Sequence, residues 1–245
     1  MRKLAYQEMF ENELNHAWYL GTRKLMVRTL RNYLKKNAKT LDAGCGTGGT
    51  IVYLKKNGFK NITGIDTSSY ALKLARKRNL NNVKIGSVNK IPFADKTFDA
   101  VICLDVLYHR GVSRKIALKE FFRVLKNDGI LYLQEPSYNW LKSTHDQMIE
   151  TKHRFDKNEI ENLLKSAEFE IVKISHFNII FFLPILAKRI LNNTFLSNPK
   201  TSDVSRLPTF LNYLLLMSLS LESRALKLIN FPFGLSVISL ARKTV

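Results

Sequence analysis

A strand turns into a helix at Leu41-Asp42-Ala43-Gly44-Cys45-Gly46-Thr47-Gly48-Gly49, where a short apolar run breaks into four glycines. Glycines at such a turn let the backbone bend tightly and leave no side chain between the main chain and a ligand. Gly44, Gly46 and Gly49 satisfy the G-x-G-x-x-G spacing, and Asp66 follows at about the 20-residue offset of a ribose-binding acid. Spacing alone therefore suits a dinucleotide and an adenosyl ligand equally. Asp42 tips the balance, because a carboxylate two residues before the first glycine repels a pyrophosphate and attracts a cationic, amine-bearing ligand.

Outward from this loop the pattern alternates. Strands are predicted at Lys39 to Asp42, Asn61 to Asp66, Val83 to Gly86, Phe98 to Leu104 and Gly129 to Glu135. Helices at about Gly48 to Asn57, Ser69 to Arg78 and Ser113 to Leu125 separate most of them. This is the signature of an α/β fold, a doubly wound and mostly parallel sheet with helices on both faces. Upstream, residues 4 to 36 carry helical periodicity that ends near Lys35-Lys36-Asn37. Downstream, a polar loop from Pro136 to His153 precedes a helix near Lys157 to Ala167, a strand near Glu170 to Phe177 and a last strand at Leu235 to Arg242. Between those two strands lie apolar runs at Ile179 to Leu186 and Leu207 to Leu221, too short or too interrupted to span a bilayer, which takes about 20 residues.

At 245 residues the chain has room for one domain with a full core. The expected division is residues 1–37 for N-terminal helices, 38–135 for the cofactor-binding core, and 136–245 for an acceptor-side and cap region. No apolar stretch long enough for a secretory signal follows the basic start, so a cytoplasmic protein is expected, or one peripheral at a membrane. The two cysteines, Cys45 and Cys103, each stand alone, which argues against a disulfide framework or a Cys-rich metal site, and no metal is expected. The net charge of +19 favours anionic partners without choosing among nucleic acid, an acidic membrane face and a phosphorylated metabolite. It is spread in pairs such as Lys35-Lys36 and Lys55-Lys56, as an AT-rich genome also gives.

Leu41 to Gly49 resembles the first motif of class I S-adenosylmethionine-dependent methyltransferases, and Gly64-Ile65-Asp66 resembles the second. Ile91-Pro92-Phe93-Ala94-Asp95-Lys96-Thr97-Phe98-Asp99 and Arg123-Val124-Leu125-Lys126-Asn127-Asp128-Gly129 resemble the later motifs in order and spacing. The resemblance implies S-adenosyl-L-methionine as cofactor and a seven-stranded Rossmann-like methyltransferase fold. It places the methionine part of the cofactor at Asp42, Gly44, Cys45 and Gly46, and the ribose hydroxyls at Asp66 beside Thr67. Adenine would lie against Ser87 and Val88, although many relatives carry aspartate where this chain has Ser87, and Leu104 would pack near the cofactor.

Flanking segments resemble a narrower subgroup, many of whose members are associated with glycan or lipid-linked glycan assembly. Glu13, His16, Trp18-Tyr19 and Arg23 resemble its N-terminal helical lid, and Trp140, His145-Asp146 and His153-Arg154-Phe155 its loop after the sheet. A lid reading has Tyr19 and Arg23 closing over the cofactor's carboxylate, and a plain amphipathic helix packing its aromatics would look the same.

The acceptor is harder to read. Methyl transfer to a hydroxyl needs a proton acceptor, and histidine suits that task near neutral pH. His109, His145 and His153 are the candidates; His109 is best placed, since ligands of open α/β sheets bind beyond the carboxyl ends of the strands. Relatives usually carry glutamate next to that histidine, where this chain has Tyr108. His145-Asp146 would make a base with its orienting acid, and Arg154 beside His153 could grip a phosphate or carboxylate. The apolar runs suggest a lipophilic pocket, a membrane-facing surface or a homodimer interface. The expected activity is O-methylation of a small-molecule, glycan or lipid-linked acceptor. An RNA or protein methyltransferase using the basic surface, and a non-catalytic cofactor-binding partner protein, are the alternatives.

Overall fold

In a computed structural model that describes residues 3–142, 146, 150–187 and 208–244, seven strands form one sheet in the order β3-β2-β1-β4-β5-β7-β6. These are β1 (Thr40–Ala43), β2 (Ile62–Asp66), β3 (Val83–Ile85), β4 (Phe98–Leu104), β5 (Leu125–Pro136), β6 (Phe169–Phe177) and β7 (Ser236–Lys243). β1 to β5 pair in parallel, and β7 runs antiparallel between β5 and β6. The helices are α1 (Lys3–Asn12), α2 (Ala17–Leu30), α3 (Gly49–Lys56), α4 (Ser69–Arg76), α5 (Arg114–Val124), α6 (Lys157–Ser166) and α7 (Thr209–Ala225), with a 3₁₀ turn at Asn139–Leu141 and a helical turn at 182–187.

β1 is buried along its whole length, Thr40 and Asp42 included, and β4 is buried from Ala100 to Cys103, as central strands covered on both faces are. Leu41, Ala43, Val101 and Leu131 pack one face with Leu118 and Phe121 of α5, while Ile51, Leu72 and Ile102 pack the other with Met26 and Leu30 of α2. The Ser68 hydroxyl caps α4 by accepting from the Ala71 N–H at 3.2 Å, and the His16 ring caps α2 by accepting from the Trp18 N–H at 3.2 Å.

Strand order reverses between β1 and β4, since β2 and β3 lie to one side and β5 to the other. The crevice that such a switch opens beyond the carboxyl ends of β1 and β4 is the usual ligand position in this architecture.

Two boundaries differ from expectation. The N-terminal helical pattern stops at Leu30, because Arg31 to Tyr33 form a tight turn in which the Tyr33 and Leu34 N–H groups both return to the Leu30 carbonyl. β5 begins at Leu125, ahead of the expected Gly129: Leu125 pairs with Phe98 and Ile130 with Ala100, so the intervening residues bulge, with Asp128 in the left-handed region at φ 60°. No described helix is long and apolar enough to cross a membrane.

Candidate active site

The glycine loop leaves β1 by folding back on β2. The Gly44 and Cys45 N–H groups both donate to the Ile65 carbonyl, at 2.9 and 2.8 Å. Gly44 sits at φ 87°, and a Cβ there would come within 2.4 Å of the Val106 side chain, so the loop fits closely against the turn after β4 only without one.

Asp42, in the centre of the sheet, is 2 % exposed, and its Oδ2 has no hydrogen-bond partner. Burial pushes its carboxyl up to about 7 against the opposing pull of Arg23, with Glu13 and Asp66 adding to the rise. A buried carboxylate with an idle oxygen is costly unless a donor arrives. Asp66, at the end of β2, uses its oxygens locally, accepting from the Gly46 N–H at 2.9 Å and the Ser68 N–H at 2.8 Å, while burial raises its pKa.

The lid residues are drawn in more deeply than their sequence reading implies. Tyr6 of α1 lies near Asp66, and burial followed by the Asp66 charge pushes its phenol up to about 12. Met9 of α1 lies over Gly46, 3.3 Å from where a Cβ would stand. Neither was identified in the sequence; the only signal was the helical period of α1, which does not say what its face covers. Glu13 is the keystone. Its buried carboxylate accepts from Thr47 Oγ1, from the Gly49 N–H at 3.1 Å, and from the guanidinium groups of Arg23 and Arg78. Arg23 is therefore not an open fork: Glu13 takes two of its nitrogens and Thr50 Oγ1 a third at 3.3 Å. Arg23 grips Glu13 beside Asp42. Tyr19 is half-buried by accessibility with its ring against Arg23 at 5.3 Å, and burial raises its pKa.

The other expected contacts lie around the same crevice. Cys45 is buried under the loop, Thr67 is exposed after β2, and Leu104 ends β4. Val88 is buried, and Ser87 after β3 accepts from the Asn89 N–H at 3.1 Å, so its hydroxyl is partly used by its own turn.

Beyond β4 the chain is organised by Glu135. Its carboxylate accepts from the Val106, Leu107 and Tyr108 N–H groups at 3.0, 2.8 and 3.2 Å, fixing the turn that delivers His109. Burial and Asp105 raise its pKa, outweighing these three donors. Replacing Glu135 by alanine should cost about 3 kcal/mol or more in denaturant unfolding, since buried N–H groups left without an acceptor cost about 1–3 kcal/mol each. Glu135→Gln keeps one acceptor oxygen and should cost clearly less; equal losses would mean the carboxylate's hydrogen bonds are not what holds the turn.

Burial brings the His109 imidazole down to about 4 and keeps it neutral at physiological pH. His109 forms an isolated bridge with Thr151, and the Lys152 N–H donates to the Tyr108 carbonyl, so residues 151–155 run beside this turn. His153, on that stretch, has both ring nitrogens engaged, one with Asn139 at 3.2 Å and the other with Glu159 at 2.7 Å. His145 lies outside the described residues. Asp146 holds Arg154 in a buried two-bond pair at 2.8 and 3.0 Å, and Arg154 also reaches the Ser137 carbonyl at 3.3 Å. Three nitrogens of the Arg154 guanidinium thus meet protein acceptors, and both Asp146 oxygens face that arginine.

A methyltransferase domain family matches residues 41–133. The ubiquinone/menaquinone biosynthesis C-methyltransferase of Campylobacter jejuni is 36% identical over 127 residues, 49% of this chain and 52% of the relative, so the match spans about half the length of that protein. An uncharacterized protein of Methanocaldococcus jannaschii is 32% identical over 170 residues, 67% of each chain. Among solved structures, a candidate sarcosine dimethylglycine methyltransferase from Galdieria sulphuraria superposes with a TM-score of 0.63 at 18% identity, covering 92% of this chain and 86% of that one, which is a likeness of fold.

Proposed function

This chain belongs to the class I S-adenosylmethionine-dependent methyltransferases, and from that premise we propose that it methylates a small-molecule or lipid-linked acceptor, most readily at a hydroxyl. The observation that carries the cofactor half is the buried, unpartnered Oδ2 of Asp42 beside the glycine loop, which fits an ammonium group. Asp42 would hold the amine of the cofactor, Asp66 its ribose hydroxyls, and the backbone at Gly44, Cys45 and Gly46 would leave room for the chain between them. Thr67, Ser87, Val88 and Leu104 would flank the nucleoside, with Tyr6, Met9 and Tyr19 covering it from the lid. When bound, S-adenosyl-L-methionine supplies an electrophilic methyl group on a sulfonium.

The protein's own contribution is then to align the acceptor, exclude water and receive a proton. Among the candidate histidines, His109 suits the last task best. It stands on a turn fixed by Glu135, and burial, which lowers its pKa to about 4, leaves it neutral and able to take a proton though a weaker base than an exposed imidazole, whereas the two ring nitrogens of His153 are already engaged. A second reading, methylation at carbon, is favoured by the name of the Campylobacter jejuni relative.

The test is transfer of label from methyl-labelled cofactor to phenolic, prenylated and glycolipid acceptors, with the methyl position read by NMR. The expected result is an O-methyl product, and a His109→Gln rate about 10²-fold lower or worse with unchanged cofactor Kd. A C-methyl product with His109→Gln at full rate would establish the second reading in place of the first. Label appearing only in RNA, or none in any acceptor despite cofactor binding, would overturn both.

A further inference from the structure

α7 is apolar on two sides: Leu219, fully buried, packs inward with Leu25, Phe177 and Ile238. Its polar residues face the protein: the Asn212 amide accepts from the Ala17 N–H at 2.8 Å at the start of α2, Ser223 receives Arg28, and the buried Glu222 receives the Ile179 N–H. Phe210, Leu214, Met217 and Leu221, spaced i, i+4, i+7, i+11, therefore make one stripe on the other side, exposed by 69 %, 44 %, 46 % and 57 %. Tyr213 flanks the stripe at 60 % exposed, and Leu228 extends it past the helix end at 89 %. A helix seated on its domain by one side, through Leu219 and these polar residues, while it presents a second and continuous apolar stripe outward is built to meet something apolar.

The charges around the stripe specify what that is. The helix carries one acidic residue, Glu222, which is buried, so no carboxylate stands on the outer face. Arg224 lies at the C-terminal end of the stripe, with Lys24 and Arg28 of α2 near enough to feel it. Burial and then the charges of Arg28 and Arg224 hold Lys24 below its ordinary value, and Arg28 is lowered by burial and Arg224 in the same way. A second copy of this chain, of net charge +19, would offer that basic rim no carboxylate from its own α7, whose one acidic residue is buried. An anionic lipid surface offers an apolar interior for the stripe and negative headgroups for its rim.

We propose that the outer face of α7, with Lys24, Arg28 and Arg224 at its edge, docks this protein onto anionic membrane surfaces as a peripheral, in-plane helix. The proposal does not depend on the acceptor assigned above, and it is tested without turnover. Full-length protein is co-sedimented with vesicles of phosphatidylcholine alone and of phosphatidylcholine with phosphatidylglycerol, at low and high salt. Binding should require the anionic lipid and weaken with salt. The double variant Leu214→Gln/Met217→Gln should bind at least 10-fold more weakly, and Arg224→Gln should lose part of the lipid preference, both with unchanged melting temperature because these side chains are exposed. Absence of binding to anionic vesicles, or equal binding by the double variant, would overturn the proposal. So would light scattering that shows a dimer abolished by Leu214→Gln/Met217→Gln, which would assign the face to a second copy.

Discussion

Asp42→Asn should weaken S-adenosyl-L-methionine binding by about 2–5 kcal/mol, roughly 30-fold to several thousand-fold, because it removes one partner of a charge pair that forms inside the protein. The same variant, free of cofactor, should unfold at no lower temperature than the parent at pH 8, since an ionised carboxyl with an idle oxygen contributes no stability there. Few substitutions separate binding from folding this cleanly. The sign of the pH dependence follows from the raised carboxyl. Its folded value is about 7 and its unfolded value about 4, so the folded protein holds a proton that the unfolded chain has lost between those limits. This group therefore favours folding below that window, and the advantage is lost as pH rises towards 7. An arriving ammonium reverses the preference and expels the proton. Cofactor binding at pH 6 should release up to one proton, and affinity should climb with pH and level off above about 7. Calorimetry in buffers of different ionisation enthalpy reads the released proton directly, and Asp42→Asn should abolish it. A parent protein that binds the cofactor with no proton release at pH 6 would place the amine away from Asp42.

Glu13→Ala should cost about 3–5 kcal/mol of folding stability, measured by denaturant unfolding, because it strands the buried Arg23 and Arg78 side chains without their carboxylate. It should also weaken cofactor binding, since Glu13 anchors the loop through Thr47 and the Gly49 N–H. Arg23→Met/Glu13→Leu, which removes charge from both partners, should recover part of the stability lost on removing Glu13 alone. A loss below about 1 kcal/mol for Glu13→Ala would mean that water takes over its role, and the lid would then be held by α1 packing alone.

Glu13 also illustrates what the sequence withheld. It sits in a recognisable cluster with His16, Trp18, Tyr19 and Arg23, yet nothing in that spacing says that it reaches Thr47 and Arg78, residues 34 and 65 positions away. Tyr6 and Met9 were invisible for the same reason. A helical period shows that a face is covered and is silent on what covers it. An arginine in a lid suits a carboxylate, and one carboxylate that Arg23 meets comes from the protein itself, Glu13. Asp146 and Arg154 pair with one another, a contact that their separate places in the sequence do not announce.

What the sequence determined by itself is the part of the protein governed by local backbone chemistry. The glycines after Asp42 require a tight strand-to-helix turn, the buried runs at Leu41, Ile65 and Val101 require a sheet covered on both faces, and the placing of Asp42 and Asp66 around that turn required only the register of neighbouring strands. What the tertiary structure decided depends on segments distant in the chain. Ser236–Lys243 enters antiparallel between β5 and β6, an order that no local pattern encodes. Glu135 finds the three N–H groups of the β4 turn. α7 turns Leu219, Asn212, Glu222 and Ser223 inward and its Phe210 to Leu221 stripe out, because an apolar patch at Leu25, Phe177 and Ile238 and polar partners in α2 and after β6 receive the inward side. Periodicity fixes the stripe on a helix, and only the neighbours decide which way it faces.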